Sequence, residues 1–524
     1  MGYPHQLKKG LIRWKALGKM TRDEESPQME TNESAKRERY AAAEKAFTKM
    51  VERVADVKEG DIKCLEETIF EEVLQLGSIL MECVMDRAKR GAPTKIVGKC
   101  GHEHRLVGYR SKHIITILGE VEFKRPYYQC KGGKIENPLI DDKEEEEREQ
   151  EQKQCSHGSA PDDELWGVQG TRTTPGVQKI ISYFSAIMTL EEAAETFSRV
   201  FRRKMSPRQA LNLLKPVGNA LATQEDKKVK EIFDQGQQKD SSKQEQEDLH
   251  REKTIDRLYI ETDEILARMR RGSVPMEKRE QHRKGDVYRG VKVGAVFQAE
   301  RGRERSELAP QVFIDAPKEG SMRYVARRSA RGGFGKLLYA LARQEGLDAA
   351  SQVVVLGDGA LWIWKLVAEH FPDAVQIVDL YHAKEHVWEV AHAVFGQATE
   401  AAAVWAKQAC ELLVHGRIED LVDSIAALPA IAPQSGQSKS VPEQALGYFI
   451  HNASRMRYPA FRAQGMHVGS GIAEAACKTV VTARLKRTGM RFTPEGLDAL
   501  LPLRSSKLSG TYDQFWEPHS RLIA

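Results

Sequence analysis

Short apolar runs alternate with amphipathic stretches in the second half of the chain. Residues 353–356 are Val-Val-Val-Leu, and Asp358 follows them between two glycines. A β-branched apolar run of this length predicts a buried strand. Residues 360–370 then predict a helix, and 374–378 predict a second buried strand. Asp358 is therefore expected at a strand end, where open α/β sheets bind their ligands.

Two other acidic residues are expected in comparable settings. Three more strands are predicted upstream, at residues 257–263, 290–297 and 311–314. The first of them ends in Asp263. A helix is predicted at about 335–345, and residues 383–460 carry an almost wholly helical pattern that interrupts the α/β unit. After this interruption, Glu474 lies early in a late helix.

The first third of the chain has a different pattern. Residues 35–90 carry helical periodicity, whereas 116–123 alternate and turn as a β-hairpin does. Residues 134–165 are polar and highly charged, which predicts a loose loop.

A candidate DNA-reading element follows this loop. A helix that includes residues 190–197 precedes a second helix, for which Ser206 is the predicted N-cap and Pro207 lies in the first turn. Two helices in this order suggest a helix-turn-helix, with Arg208 placed to contact DNA. An ordinary helical hairpin has the same pattern, so that alternative stays open.

These patterns divide the chain into nine segments. They are an N-terminal helical region (1–92), a small β or zinc-ribbon-like segment (93–135), an acidic loop (136–170), a helix-turn-helix-like region (171–222), a charged linker helix (223–256), the first part of an α/β core (257–390), an all-helical insertion (391–465), the second part of the core (466–505) and a tail (506–524).

The charge distribution predicts that the chain binds a polyanion. The chain has 80 Lys and Arg against 75 Asp and Glu, but six of the acids cluster at residues 141–147. The remainder is basic in several patches, including 323–336 and 484–491, and basic patches favour nucleic acid. No apolar run approaches the roughly 18 residues that span a bilayer, so no membrane partner is expected.

The cysteines suggest a reducing compartment and one weak metal site. The seven cysteines are scattered and odd in number, which favours the cytoplasm over a disulfide framework. Cys100 and Cys130 flank the predicted hairpin as zinc-ribbon ligands would. Position 133 is Gly where a second cysteine of a pair would stand, so a hairpin without metal is the default and zinc the alternative.

Asp263, Asp358 and Glu474 together form the main chemical hypothesis. Three meandering strands, a helix, a parallel strand and a late helix describe a ribonuclease-H-like α/β core within a multidomain α+β chain. Its first and fourth strands would bring Asp263 beside Asp358. Clustered carboxylates repel unless a cation neutralises them, and Mg²⁺ prefers oxygen ligands. Singly, the three could be a turn residue, a helix cap and a surface partner of Lys478.

Basic and histidine residues near the acids offer supporting roles. Four residues of the late helix and its end would hold a DNA backbone, or else form an ordinary basic face: Lys478, Arg484, Lys486 and Arg487. Asp379 and His382 follow the last predicted strand and could support the site. Residues 382–386 also fit H-x-x-E-H, the zinc motif of inverted zinc peptidases, which is kept as a distant alternative.

Two motif blocks resemble insertion-sequence transposases of the Kra type, a family similar to the Mutator-type transposases. The first block runs from Val355 to Trp364 and continues from Val378 to Glu385; the second runs from Gly469 to Lys478 and continues to Arg491. The resemblance covers about residues 95–505. It implies an acidic triad of Asp263, Asp358 and Glu474, split around a helical insertion. Glu261 or Glu264 could take the place of the first acid.

The resemblance implies a Mg²⁺-dependent DNA transposase, with Mn²⁺ able to substitute. Its expected partners are double-stranded DNA with terminal inverted repeats and target DNA, bound by a homodimer or a higher oligomer on paired ends. Its expected location is the bacterial cytoplasm, at the nucleoid. A transposase-derived DNA-binding protein that has lost catalysis is the main alternative.

Overall fold

The computed structural model describes residues 27–57, 61–86, 91–98, 100–130, 158–238, 254–273, 287–306, 309–434, 436–469, 471–487 and 489–520. Most of the predicted acidic loop lies outside these ranges. The chain has mixed α+β structure and divides into two compact units. One comprises residues 1–178 and 199–203, and the other comprises 179–198 and 204–524.

The first unit contains two long helices and a small antiparallel sheet. The elements are helices α1 (Pro27–Ala55), α2 (Ile62–Met85) and α3 (Pro161–Leu165), and strands β1 (Lys95–Val97), β2 (Glu103–Ile115), β3 (Glu120–Cys130) and β4 (Gly158–Ser159), which pair in the order β1-β2-β3-β4. The predicted hairpin is confirmed: the Thr116 side chain accepts the backbone N–H groups of Leu118 and Gly119 at the turn. Its strands are longer than predicted. β2 alternates between exposed and less exposed positions, and most of the exposed ones are polar, so no continuous apolar run marks its full length in the sequence.

Three helices follow: α4 (Pro175–Ile187), α5 (Leu190–Val200) and α6 (Pro207–Gln238). The predicted cap is confirmed. Ser206 Oγ accepts the backbone N–H of Gln209 at 3.2 Å, and Gln209 Oε1 accepts the backbone N–H of Ser206 at 2.9 Å, which is a reciprocal capping arrangement. The charged stretch after residue 223 was predicted as a separate helix or linker. It instead continues α6 as far as Gln238.

The second unit is built on a mixed sheet. Its strands are β5 (Ile255–Met269), β6 (Val287–Ser306), β7 (Ala309–Pro317), β8 (Arg323–Arg328), β9 (Ala350–Gly357) and β10 (Val375–Val378). The order is β10-β9-β5-β6-β7, and β8 also pairs with β6. β10, β9 and β5 are parallel, whereas β5, β6 and β8 form an antiparallel meander.

The five strands predicted for this region are present, with two corrections. The first strand does not end at Asp263 but runs on to Met269, because β6 pairs with it over that whole length while β9 ends at Gly357. β8 was not predicted. Its sequence, Arg-Tyr-Val-Ala-Arg-Arg, has apolar residues only at its centre, so its basic residues suggested a surface patch.

Helices cover the sheet of the second unit. They are α7 (Phe334–Gln344), α8 (Leu361–His370), α9 (Leu380–Phe395), α10 (Glu400–Val414), α11 (Ile418–Ala426), α12 (Val441–Asn452), α13 (Tyr458–Ala463), α14 (Gly471–Ala476), α15 (Ala483–Leu485), α16 (Pro494–Leu508) and α17 (Tyr512–Ser520). One hydrophobic cluster joins β5 and β9 to the helices from α7 to α13, and a second joins β6 to α6, α14 and α16. Residues of β6 and β8 enter both clusters, so the sheet has apolar packing on both faces.

A π-helix joins α14 to α15. It spans Cys477–Thr482, and with its neighbours it forms one helical segment, 471–485. A π-helix widens the turn and disturbs the usual pairing of carbonyl groups. Arg504 contacts two of these groups: its Nε donates to the Val480 carbonyl at 2.6 Å, and its Nη2 donates to the Thr479 carbonyl.

Two buried arginines fix the 471–485 segment to the end of α4. Arg504 Nη1 donates to the Ala186 carbonyl, and Arg484 Nε donates to the Ser185 carbonyl at 2.9 Å. The last carbonyl groups of a helix lack partners within it, and cations are favourable there. Burial lowers the pKa of both guanidinium groups to about 10, so both remain charged at neutral pH.

This arrangement corrects one predicted contact. Arg484 was expected to bind a DNA backbone, but it is only 1% exposed. Its guanidinium group binds the protein backbone instead.

The predicted basic patch at 323–336 is also largely paired within the protein. Arg327 and Arg331 both contact Asp226 of α6, at 2.6 and 2.7 Å. Arg328 makes a two-pronged pair with Asp498 of α16. These guanidinium groups join β8 and its following turn to neighbouring helices, so they do not form the cationic surface that was expected.

None of the helices in the described part of the chain is both long and apolar enough to cross a membrane.

We expect Arg504→Met to lower the free energy of unfolding by about 3 kcal/mol, because three carbonyl groups lose a charged donor. Urea denaturation followed by circular dichroism measures the effect. Arg487→Met is the matched control, since Arg487 forms an exposed ion pair with Glu192 and such pairs contribute little. Equal stability losses in the two variants would contradict the assigned role of Arg504.

Candidate functional site

Three aspartates lie at one level of three neighbouring parallel strands, Asp263 within β5 and the other two, Asp358 and Asp379, directly after β9 and β10. Glu261 of β5 pairs with Leu356 of β9, so continuing this register by two residues aligns Asp263 with Asp358. Val378 of β10 pairs with Gly357, which aligns Asp379 with Asp358 as well. We call Asp263, Asp358 and Asp379 the acidic row. It lies where β9 and β10 end, at the edge of the parallel part of the sheet.

Asp263 is the most perturbed member of the acidic row. Burial raises the pKa of its carboxyl group, and the negative charge of Asp358 raises it further, while the backbone N–H of Glu264 acts in the opposite direction. That N–H donates to Asp263 Oδ1 at 2.6 Å. A half-buried carboxylate whose ionisation is made more costly by a neighbouring acid forms a site that favours a cation.

The thiol of Cys477 also binds Asp263. Burial raises the pKa of this thiol, and the charge and hydrogen bond of Asp263 raise it further, so the sulfur stays protonated and acts as a donor. Cys477 is 4% exposed and is the first residue of the π-helix. The interaction therefore places the start of the π-helix directly beside the acidic row.

Asp358 is held by its own turn and by α12. Its Oδ1 accepts the backbone N–H of Ala360 at 2.9 Å, and its backbone carbonyl accepts the hydroxyl of Tyr448 at 2.9 Å. Gly359 has a left-handed φ of +94°, and a Cβ there would lie 2.5 Å from the Tyr448 ring. Only glycine satisfies both conditions. This turn contact is not a helix cap, because the N-cap of α8 is Ala360 and has no side-chain cap hydrogen bond, and the contact occupies only one carboxylate oxygen of Asp358.

Asp379 has a structural role. It is buried, and its Oδ1 accepts the backbone N–H groups of Tyr381 and His382, so it caps the start of α9. His382 is partly exposed, and its Nδ1 lies 3.1 Å from Glu385 Oε2. His382 also lies close enough to Asp263 for their charges to interact. The predicted supporting residues therefore stand beside the acids, one as a cap and one as a neighbour.

Glu474 lies in α14, which packs against β5 and β6. Its side chain lies outside the described part of the structure. Cys477, three residues later, contacts Asp263, and residues three apart share a helix face. The helix that carries Glu474 is therefore beside the acidic row.

The two alternatives to Asp263 have different surroundings. Glu261 is 0% exposed, two residues earlier on the same face of β5. Glu264 points to the opposite face, where its Oε1 accepts the Ser329 hydroxyl at 2.7 Å. The carboxyl group of Asp263 interacts with the charge of Asp358.

Sequence reasoning missed Cys477 and Tyr448 as parts of this site. The three-residue spacing between Glu474 and Cys477 was a usable signal for the first. No local signal identified Tyr448, because it lies 90 residues after Asp358 and reaches it only through the folding of the helical insertion.

The other predicted DNA contacts lie at the surface. Arg208, Lys478, Lys486 and Arg487 are all exposed. Arg487 pairs with Glu192 at 2.6 Å. A cleft of about 1020 Å³ lies at the far end of β5, lined by residues that include Arg270, Arg271, Arg487 and Arg491. None of the three residues of the acidic row lines this cleft. The cleft is therefore a cationic surface at the end of the strand that carries Asp263, separate from the acidic row.

The H-x-x-E-H residues do not act as one metal set. His382 pairs with Glu385, and His386 pairs with Glu389 at 3.0 Å while its ring lies 4.1 Å from the ring of Tyr448. The two imidazoles therefore have separate partners, and Glu385 is paired. This arrangement does not favour the peptidase alternative.

The first unit contains a separate group of metal-type ligands. Ligand atoms of Cys100, His102 and Cys130 all lie within 4.8 Å of one another. His104 Nε2 lies 3.1 Å from Cys100 Sγ. The hydrogen bond with His104, followed by one with the His102 backbone, lowers the pKa of Cys100 to about 6. The structure thus brings together the two predicted cysteines and adds two histidines.

The sequence matches no protein-family model, and a search of curated proteins finds no match either.

We expect Asp263→Asn to raise Tm by about 2 °C in metal-free buffer at neutral pH. The folded chain raises the pKa of Asp263, so the related stability is present below the unfolded-state pKa and is lost as pH rises through the folded-state pKa. The variant removes that loss, and its stabilisation should fade in acid. Differential scanning fluorimetry across pH measures both effects.

Asp373→Asn is the matched control, because Asp373 is exposed in the turn before β10, away from the acidic row. Mg²⁺ should raise Tm of the wild type and of this control, and raise it much less for Asp263→Asn. The same Mg²⁺ response in all three proteins would show that Asp263 is not a ligand.

Proposed function

We propose that the chain is a DNA transposase that cleaves and transfers DNA strands at the ends of an insertion sequence, using divalent metal ions. The observation that carries the proposal is the alignment of Asp263 with Asp358 across β5 and β9, with the helix of Glu474 beside them. The resemblance of the two motif blocks to Kra-type transposases is a second support.

The strand order supports a ribonuclease-H-like core. The meander β5-β6-β8 is followed by β9, which crosses to the other side and runs parallel to β5, and β10 then extends the sheet beyond β9. The helices from α9 to α13 lie between β10 and α14 in the chain, as expected for a helical insertion that splits the acidic triad.

The available ligands suit a hard cation. Asp263 and Asp358 offer carboxylate oxygens, which Mg²⁺ and Mn²⁺ prefer, and Glu474 would supply a third carboxylate. The nearby sulfur of Cys477 is a neutral donor to Asp263, so it does not compete as a thiolate. Mg²⁺ held by these carboxylates would supply activation of an attacking oxygen and stabilisation of a leaving oxygen in phosphoryl transfer.

The protein's own groups hold this arrangement in place. Cys477 orients Asp263, the Ala360 N–H orients Asp358, and Tyr448 fixes the Asp358 backbone. Arg484 and Arg504 fix the segment that carries Glu474. Preorganised carboxylates of this kind lower the cost of assembling the reacting groups.

DNA would be held by exposed cations around the site. Lys478 is exposed on the 471–485 segment, Lys486 is exposed directly after it, and Arg487 and Arg491 line the neighbouring cleft. Contacts of this type bind the phosphate backbone without reading sequence. Helix α6, with Arg208 in its first turn, is the proposed reader of the terminal inverted repeats, and the active form is a homodimer or larger oligomer on paired ends.

The second candidate is a DNA-binding protein without catalysis. The observation that favours it is the capping of Asp379 and the turn contact of Asp358, which give both acids a role in folding alone. It predicts DNA binding that needs no divalent ion.

We expect Asp358→Asn to reduce strand cleavage by at least about 10³-fold, because a neutral amide cannot replace a metal-binding carboxylate. The substrate is duplex DNA that flanks the coding sequence, incubated with the full chain and Mg²⁺ or Mn²⁺. DNA affinity, measured by fluorescence anisotropy, should stay within about twofold of the wild type.

Asp358→Cys separates a ligand from a structural residue. This variant should be inactive with Mg²⁺ and regain activity with Mn²⁺, since a thiolate binds the softer ion better. Asp373→Asn should cleave like the wild type. Unchanged cleavage by Asp358→Asn would contradict the enzyme proposal. DNA binding that needs no metal ion, together with no cleavage by the wild type or any variant, would support the second candidate.

A further inference from the structure

We propose that Cys100, His102, His104 and Cys130 bind one zinc ion that holds the small sheet of the first unit together. The site is independent of the acidic row and of the proposed phosphoryl transfer. Two cysteines and two histidines are one of the common ligand sets of closed structural zinc sites.

The distances fit a tetrahedral zinc ion. Zn–S bonds of about 2.3 Å and Zn–N bonds of about 2.0–2.1 Å give tetrahedral edges of about 3.8 Å between two sulfurs and about 3.6 Å between sulfur and nitrogen. Cys100 Sγ and Cys130 Sγ are 4.0 Å apart, and Cys100 Sγ lies 3.1 Å from His104 Nε2. Both distances need only a small adjustment to match these edges.

His102 gives the independent indication of a ligand. Its side chain belongs to a residue only 8% exposed, and its two buried ring nitrogens have no hydrogen-bond partner outside the group of ligands around Cys100. An unpartnered buried imidazole is costly. One of its nitrogens lies within 4.8 Å of the sulfurs of Cys100 and Cys130, so a zinc ion between them would supply the missing partner.

The backbone presents the ligands from one end of the sheet. Cys100 and His102 lie in the turn between β1 and β2, where the N–H of Gly101 donates to the Gly98 carbonyl and the N–H of Gly98 donates to the His102 carbonyl. His104 of β2 pairs in register with Cys130 of β3. A tight turn and a cross-strand pair thus bring Cys100, His102 and Cys130 together, with His104 beside Cys100.

His104 has the environment of an oriented metal ligand. Its Nδ1 lies 3.2 Å from the Ser159 hydroxyl, which leaves Nε2 for the metal. Ligating histidines usually have their second nitrogen fixed by such a partner. A Cβ on Gly98 would lie 2.2 Å from His104 Nε2, so the imidazole fits only against glycine.

The zinc ion would join three strands and the turn. β1, β2 and β3 meet at the ligands, and Ser159 adds β4. The apolar cluster behind this sheet is small, with five buried residues among those that the structure describes. Structural zinc supplies folding free energy where a core is small.

A disulfide between Cys100 and Cys130 is the competing assignment. It would leave His102 without a partner and His104 without a role, whereas zinc uses all four residues. The two assignments differ in metal content and in the number of free thiols.

Metal analysis of the purified full-length chain tests the proposal. We expect about one zinc per chain, and loss of nearly all of it in Cys100→Ser/Cys130→Ser. His102→Gln should also lose zinc, and Ser159→Ala should weaken zinc binding about 10-fold. Cys64→Ser, which changes an exposed cysteine of α2, is the matched control and should keep the full content.

Cobalt substitution gives a readout that does not require the variants to fold. Co²⁺ in the wild-type chain should show thiolate-to-metal charge-transfer absorption and the visible bands of a tetrahedral site, both removed by added zinc. Asp263→Asn/Asp358→Asn should keep its zinc, which separates this site from the acidic one.

Two outcomes would overturn the assignment. One is zinc content that is unchanged in Cys100→Ser/Cys130→Ser. The other is a wild-type chain that takes up neither metal after reduction and whose mass spectrum shows Cys100 bonded to Cys130 before it.

Discussion

The hydrogen-bond register between β5 and β9 determines where the acids of this protein stand. Because Glu261 pairs with Leu356, Asp263 and Asp358 reach the same level of the sheet from positions 95 residues apart in sequence. A shift by one residue would turn either carboxylate to the other face. The burial of both strands in a single hydrophobic cluster fixes that register, so the core determines the chemistry of the edge.

The acidic site also depends on two buried, charged side chains. Arg484 and Arg504 donate to carbonyl groups of α4 and of the π-helix, and the π-helix begins at Cys477, beside Asp263. A buried cation without partners would be expensive. Here each guanidinium group donates to backbone carbonyl groups that have no partner at the helix end or in the widened turn. The buried cations and the buried carbonyl groups therefore satisfy each other's hydrogen bonds.

The sequence correctly predicted those elements that depend on residues close together in the chain. The strands around Asp263 and Asp358, the Ser206 cap and the hairpin at residue 116 are all local patterns, and each is present. Sequence patterns could not show that basic residues form ion pairs within the protein. Arg327 and Arg328 pair with carboxylates on helices that are distant in sequence. Nor could sequence patterns show that His102 and His104 lie beside Cys100 and Cys130, because the spacing of these residues differs from the C-x-x-C pairs of a zinc ribbon. The contact of Tyr448 with Asp358 likewise exists only once the insertion has folded.

The π-helix has a consequence for how this chain can vary. Each residue of an α-helix turns the chain by about 100°, so a wide turn that takes up one additional residue leaves the angular phase of the residues after it almost unchanged. Deleting one residue between 477 and 482 would let the turn tighten to an α-helical turn with Arg484 still in the interior, and it would remove the unpaired carbonyl groups that Arg504 contacts. A single-residue deletion in the π-helix should therefore be better tolerated than one in a neighbouring α-helix, where no wide turn can absorb the change of phase.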